Sequence, residues 1–345
     1  MVRLFPLLSR IMSRVSSARK FEQIASRVIQ IAPSSTRQPM PAISLPNEID
    51  RVRQFEPTNS PQVHFDRLFA KVQNHGPTMA YLIDNALLHH GTLYSRLNFW
   101  NFTRNPKKFR QIGDCNFIDE AQLASSPLEH IYFGHWLHDT LPLEMLAYDR
   151  GVEAVRPKDP PWMHSPGYRD ALDMRPRIEE HARISKLWVI DDRGLNENWS
   201  DRFLRVRIKL RSGQTPSMYR KVFISRGSSG SRREIANLKE LQESLEKEDF
   251  FVLYPEKESS STIISVLSGA SVVVGMVGSA LAHAQLAMPQ GSSLVVIQPS
   301  NLFSGFHKLF ADVSGIRFAF VVADTINDES FVDIPRLLKT IELVD

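Results

Sequence analysis

The sequence predicts an α/β protein whose second half is a doubly wound parallel sheet. Three observations predict this. From about residue 217 short apolar runs alternate with helical stretches, the pattern of strands joined by crossover helices. Hydrophobic residues at 42% and charged residues at 23% match a chain with a packed core. No apolar run approaches the roughly 18 residues that cross a bilayer. At 345 residues the chain can hold two medium domains.

Taken in order, residues 1–20 carry Arg3, Arg10, Arg14, Arg19 and Lys20 and no acid, with Leu4, Leu7, Leu8, Ile11 and Val15 at helical spacing. This predicts a basic amphipathic helix suited to an anionic membrane surface, although an organellar transit peptide has the same composition. From Ala32 to Asn59 the chain is rich in Pro, Ser and Thr and lacks periodicity, so a linker is expected to end near residue 60. Residues 61–125, with apolar runs at Met79–Ile83 and His90–Leu97, suggest strands and loops. Arg156 to Arg175 is broken by Pro157, Pro160, Pro161 and Pro166 and reads as a loop, before a strand at Leu187–Ile190. The regular half then runs as strand 222–225, helix 233–247, strand 250–254, helix 262–268, strand 271–275, helix 279–287, strand 294–298, helix 303–312, strand 317–322 and helix 334–343.

The most chemically loaded stretch is Tyr132 to Pro142, YFGHWLHDTLP. As a regular helix it puts His135, His138 and Asp139 on one side and apolar residues over the rest. Buried ionisable groups are costly unless paired or used, so the stripe is either a satisfied structural pair or part of a cleft. In a parallel sheet, ligands sit beyond the carboxyl ends of strands. Ser225 and Arg226 end one strand and lead into Gly227 to Arg233, GSSGSRR, which reads as a phosphate cradle or a solvated basic loop. Gly275 to Ser279, GMVGS, follows another strand and opens a helix. It can meet a pyrophosphate through free amides or serve as a tight turn. Tyr254-Pro255 and Gln298-Pro299 end two further strands and could line a nucleoside pocket.

Several classes are disfavoured. The single cysteine, Cys115, excludes an intramolecular disulfide or a Cys-based zinc site and fits a reducing compartment. A net charge of +4 without a basic block interleaved with aromatics argues against nucleic acid and favours anionic small molecules or lipid. The spacing of GMVGS is not that of a dinucleotide fingerprint, and there is no GxSxG elbow. No second His/Asp/Glu cluster at ligand spacing is readable, so no metal site is expected.

Four blocks in order resemble glycosyltransferase family 61. YFGHWLHDTLP resembles its His-Trp-Leu-x-Asp-x-Leu-Pro block, and Tyr168–Met174, YRDALDM, the segment before its next strand. Ile224-Ser225-Arg226 with Arg232, Arg233 and Asn237 resembles its strand-Ser-Arg block. Val272–Leu281, VVVGMVGSAL, resembles its Val-x-Gly-x-His-Gly-Ala-x-Leu block. Val277 stands where the family has histidine, Ser279 where it has alanine, and Ile263 where it has glutamine.

The resemblance implies a GT-B-like fold of two Rossmann-like domains facing across a cleft. Residues 1–60 would be the basic segment and linker, 61–215 the acceptor-side domain and 216–345 the nucleotide-sugar domain. It implies an inverting glycosyltransferase of polysaccharide biosynthesis, moving a hexosyl or pentosyl group from a nucleotide sugar to a glycan or lipid-linked acceptor. Asp139, His135 and His138 would be the catalytic residues. Arg226, Arg232, Asn237, Gly275, Gly278 and Ser279 would bind the donor. No cofactor or metal is implied, and the expected location is the cytoplasm, at the inner face of the membrane through residues 1–20. The competing expectation is a non-catalytic nucleotide-sugar-binding or scaffold protein of the same fold.

Overall fold

Runs such as Val272–Met276 and Ser293–Pro299 have no polar face, so they demand burial on both sides. The computed structural model, which describes residues 20–96, 98–102, 115–225 and 234–345, meets that demand. The chain forms two units. The first comprises residues up to Ser35 and Asn74–Val206, the second Thr36–Gln73 and Arg207–Asp345. The strands are numbered from β1 (Arg27–Ala32), with β2 (Ser35–Arg37) and β3 (Gln73–His75) pairing as a separate ribbon.

The first unit holds an eight-stranded mixed sheet. Its strands are β1, β4 (Thr78–His89), β5 (Thr92–Ser95), β6 (Asn98–Asn101), β7 (Asn116–Leu123), β8 (Ala154–Arg156), β9 (Arg177–Ile178) and β10 (His181–Asp191). The order is β6-β5-β4-β10-β7-β8-β9, with β1 also on β4. β10 lies parallel to β7 but antiparallel to β4. A Rossmann-like reading of this unit therefore needs correcting: only the part containing β10, β7, β8 and β9 is parallel. The rest is built from β4 and its antiparallel neighbours β1 and β5, which a short turn at His90-Gly91 allows. Ile83, Leu88, Leu93, Ile118, Leu123, Ile184 and Leu187 form the core. The stretch expected to be a loop contains a helix, Ser165–Leu172. Pro166 sits in its first turn, where a missing N–H is not felt.

The second unit holds β11 (Lys221–Ile224), β12 (Phe250–Leu253), β13 (Val272–Met276), β14 (Ser293–Pro299), β15 (Arg317–Ile326) and β16 (Glu329–Phe331). Their order is β12-β11-β13-β14-β15-β16, parallel except for β16. Helices at Leu238–Lys247, Ser260–Gly269, Leu281–Ala287, Phe306–Ser314 and Ile334–Glu342 connect or follow these strands, close to the sequence-based pattern.

The expected linker is overturned in its second part. Ile43 bonds the backbone of Phe318 and Phe320, and Arg53, Gln54 and Glu56 bond Ser300 and Phe303. The Glu48 carboxylate is buried, accepting from Val322 N–H and from Arg336. Proline-rich chain has no periodicity because it is extended, and here that extended chain is docked on the second unit. Among the described residues no helix is long and apolar enough to cross a membrane. The basic helix expected for residues 1–20 lies outside the described residues, except for Lys20.

Candidate active site

β7 and β10 are adjacent parallel strands, and the chain leaves β7 on one side toward β8 and returns on the other as β10. Such a reversal opens a crevice at the strands' carboxyl ends. Ser125 and Ser126 follow β7 there, and Asp192 follows β10. The segment Phe133–Asp149 then begins as helix and widens at Trp136–Thr140 into a π turn before continuing as a regular helix at Leu141. Leu141 N–H accordingly bonds Trp136 O, five residues back. Pro142 supplies the physical reason, since it has no N–H for the His138 carbonyl and its ring crowds that carbonyl.

The π turn changes which side chains share a surface. A wider turn advances each residue by less than about 100°, so His138 is carried away from His135. His135 Nδ1–H donates to Asp139 Oδ2 at 2.8 Å, and Ser126 Oγ donates to the same oxygen at 3.3 Å. These side chains remain open, His135 at 22% and Asp139 at 32% exposure. Asp139 Oδ1 accepts no bond among the described residues. His138 is fully buried, with its ring 5.7 Å from that of Phe203. The expectation that all three share one surface is corrected: His135 and Asp139 form an open dyad, and His138 packs beneath it.

Behind the dyad lies an ion network that sequence reasoning missed. Glu129 accepts from Ser125 Oγ at 2.5 Å and from Thr140 Oγ1, the neighbour of Asp139. Arg156 Nη2 is 2.9 Å from Glu129 Oε1, and its Nη1 donates to Glu144 at 2.7 Å. Arg169 grips Glu144 with two bonds at 2.8 and 2.9 Å and places its guanidinium over Trp136. Burial alone would push the Glu129 carboxyl up. Arg156, with bonds from His130, Ser125 and Thr140, outweighs it and holds the group below the usual carboxylate range. Tyr168, fully buried against Trp136 and Phe133, has its phenol pushed up by burial. The first two resemblance blocks thus meet in one layer. A second clamp joins Arg202 to Asp192 by two bonds at 2.8 and 2.9 Å and to the Pro142 carbonyl at 2.8 Å. The readable signal for the network was charge inside apolar sequence, as at Glu144.

In the second unit the reversal falls between β11 and β13. Ser225 is buried at the end of β11 and accepts from Gln242 Nε2, which also donates to Tyr254 OH at the end of β12. Arg226 and Arg232 follow but lie outside the described residues. Gly275 is a close-approach glycine: a Cβ there would sit 2.7 Å from Leu281 Cδ2 and 3.3 Å from Ile224 O. Gly278 and Ser279 form the link from β13 to the helix Leu281–Ala287, with Leu281 N–H bonded to Gly278 O and Ala282 N–H to Ser279 O. Asn237 is occupied structurally, donating to Val332 O at 2.9 Å and accepting from Val332 N–H at 3.0 Å. Val277 and Ile263 are buried apolar residues. Gln298 is pinned to Ser304 by both ends of its amide.

Two α/β units each have a parallel-strand reversal, the place where open sheets of this class take ligands, and one of them carries an open His/Asp dyad. Over residues 133–295, from the dyad segment to the middle of β14, the chain matches the family described as Glycosyltransferase 61. No curated protein matches the chain. Among solved structures, the metal-soaked Flv1 flavodiiron core from Synechocystis sp. PCC6803 aligns at 10% identity over 76% of this chain. The match spans 62% of that structure's length at a TM-score of 0.26, too low to carry an argument.

Proposed function

We propose that the protein is an inverting glycosyltransferase that moves a sugar from a nucleotide-sugar donor to a glycan or lipid-linked acceptor. The family match supports a glycosyltransferase. The observation that carries the mechanism is the His135–Asp139 dyad, with one carboxylate oxygen engaged and the other accepting no bond among the described residues. Asp139 Oδ1 takes the proton of the acceptor hydroxyl as its oxygen bonds the anomeric carbon, while the bond to the diphosphate breaks. His135 and Ser126 orient the carboxylate. Arg226 and Arg232, after β11, are the groups we assign to the departing diphosphate. A GT-B arrangement, with the second unit as the donor side, is part of this reading. So is contact of residues 1–20 with anionic membrane at the cytoplasmic face, which co-sedimentation of full-length and truncated protein with anionic vesicles checks.

Asp139→Asn keeps shape and hydrogen bonding but removes the base. It is expected to lower turnover about a hundredfold or more, with melting temperature and donor affinity unchanged. Normal turnover, or early melting, would remove Asp139 from the mechanism. A second reading, a scaffold that binds the donor without turnover, is favoured by Val277, an apolar residue where the family has histidine. Donor binding by calorimetry without transfer or hydrolysis would select it.

A further inference from the structure

We propose that His89, His90 and His181 form a binding site for a zinc ion, distinct from the dyad. The site is assembled by strand register. β4 and β10 run antiparallel with His181 directly opposite His89, so the two side chains leave the same face of the sheet. β4 ends there, and His90-Gly91 makes a two-residue hairpin turn with φ of 47° and 77°, after which Thr92 pairs back with His89. The turn brings His90 over the other two rings.

Two imidazoles adjacent in sequence and a third from the start of β10 are thereby gathered into one corner. Ring centroids lie 4.1 to 4.7 Å apart, and one nitrogen from each residue lies within 4.8 Å of the others. Tetrahedral zinc with bonds of about 2.0–2.1 Å needs its nitrogens about 3.4 Å apart, so side-chain adjustment alone completes the geometry. His181 Nδ1 and His89 Nδ1 face each other at 2.9 Å, so one accepts the other's N–H, and a metal would take up these lone pairs by displacing the shared proton to the other ring nitrogen or to solvent. Glu180 Oε2 stands 3.5 Å from His90 Nδ1, a carboxylate placed to orient that ring as carboxylates orient metal-bound histidines. Imidazole-only donors suit a borderline-soft first-row ion rather than magnesium or calcium.

The site and the dyad occupy opposite ends of β10. His181 is its first residue and Asp191 its last, about 33 Å apart at ~3.3 Å per residue. Zinc here would tie the β4–β5 hairpin to β10 and would not reach the reacting sugar.

The test uses metal-stripped full-length protein, titrated with zinc in competition with a chromophoric chelator and followed by thermal melting with and without zinc. One zinc per chain and a higher melting temperature with zinc are expected. His90→Asn places the residue most favoured before glycine in this turn and removes one ligand, while His181→Gln removes another without touching the turn. Each should weaken zinc binding about a hundredfold or more while the metal-free melting temperature stays near that of the parent chain. Absence of binding at micromolar zinc, or equal affinity in the parent and both variants, would overturn the assignment. In the latter case zinc resides elsewhere.

Discussion

Removing the Arg156 guanidinium should destabilise the first unit through the carboxylate it leaves behind. Arg156 and Glu129 are fully buried and Glu144 nearly so. In Arg156→Met, Glu144 keeps its two bonds from Arg169, so the loss falls on Glu129. Breaking a buried pair by deleting one partner costs roughly 3–5 kcal/mol. Glu129 retains hydroxyl donors from Ser125 and Thr140, which puts the expected cost near the lower end, about 3 kcal/mol. For a unit of this size that corresponds to a fall of about 6–12 °C in melting temperature.

The pH dependence follows from the sign of the shift. Glu129 is held below its ordinary range when folded, so its contribution is present above the unfolded carboxylate pKa and is lost as pH falls through the folded one. The gap between parent and variant should be widest at neutral pH and narrow in acid, where protonation neutralises the stranded group. Adding Glu129→Gln to Arg156→Met should recover part of the loss at neutral pH. Melting followed by circular dichroism at pH 7 and pH 4 measures all three. A single variant within about 2 °C of the parent, or a gap that does not change with pH, would refute the reasoning.

Two further outcomes are expected. His64 lies below its ordinary range because of burial, opposed by its bond to the Glu56 carbonyl, and its Nδ1 accepts from Gly305 N–H. The neutral ring is therefore the folded form: its contribution is present above about pH 6.5 and is lost as pH falls through the folded pKa, so the melting gap between the parent and His64→Asn should shrink from pH 7.5 toward the acid side, at about the usual imidazole range. Asn237→Ala should cost about 1–3 kcal/mol in denaturant unfolding, since it strands the Val332 N–H and carbonyl. If calorimetry instead shows intact stability and a weakened nucleoside diphosphate, Asn237 belongs to the donor site.

The second unit was legible because its strands are covered on both faces. Val272–Met276 and Ser293–Pro299 read as continuous apolar runs, and each is bounded by helical spacing. Of its six-stranded sheet only β16 was missed, a three-residue edge strand too short to show a period, but the helix Pro61–Phe69, which belongs to this unit, stands where strands and loops were expected. In the first unit β4 was read only at Met79–Ile83, because Asp84 and Asn85 are exposed within the strand and Asn85 adopts a φ of 53° that breaks alternation. The docked segment around Ile43 to Glu56 was hidden for a different reason. Its partners Phe318, Phe320, Ser300 and Val322 are more than 240 residues away, and nothing local announces them. The histidine cluster likewise depends on a register between β4 and β10 that no spacing reveals.

The candidate site turns on Pro142, visible in the sequence only as the last residue of the YFGHWLHDTLP stretch. A regular helix through Tyr132–Pro142 would leave His138 and Asp139 on either side of His135, both near the surface. Pro142 denies His138 its backbone partner, the turn widens, and the two are separated: Asp139 outward with His135, His138 inward against Phe203. An opened turn forfeits helical bonding and persists only if neighbours hold it. Here Arg202 fixes the Pro142 carbonyl on one side, and Thr140 is fixed through Glu129 to Arg156 on the other. Both anchored residues lie within three residues of Asp139. The buried charges are thus spent on holding a single turn of backbone in the one register that exposes a carboxylate.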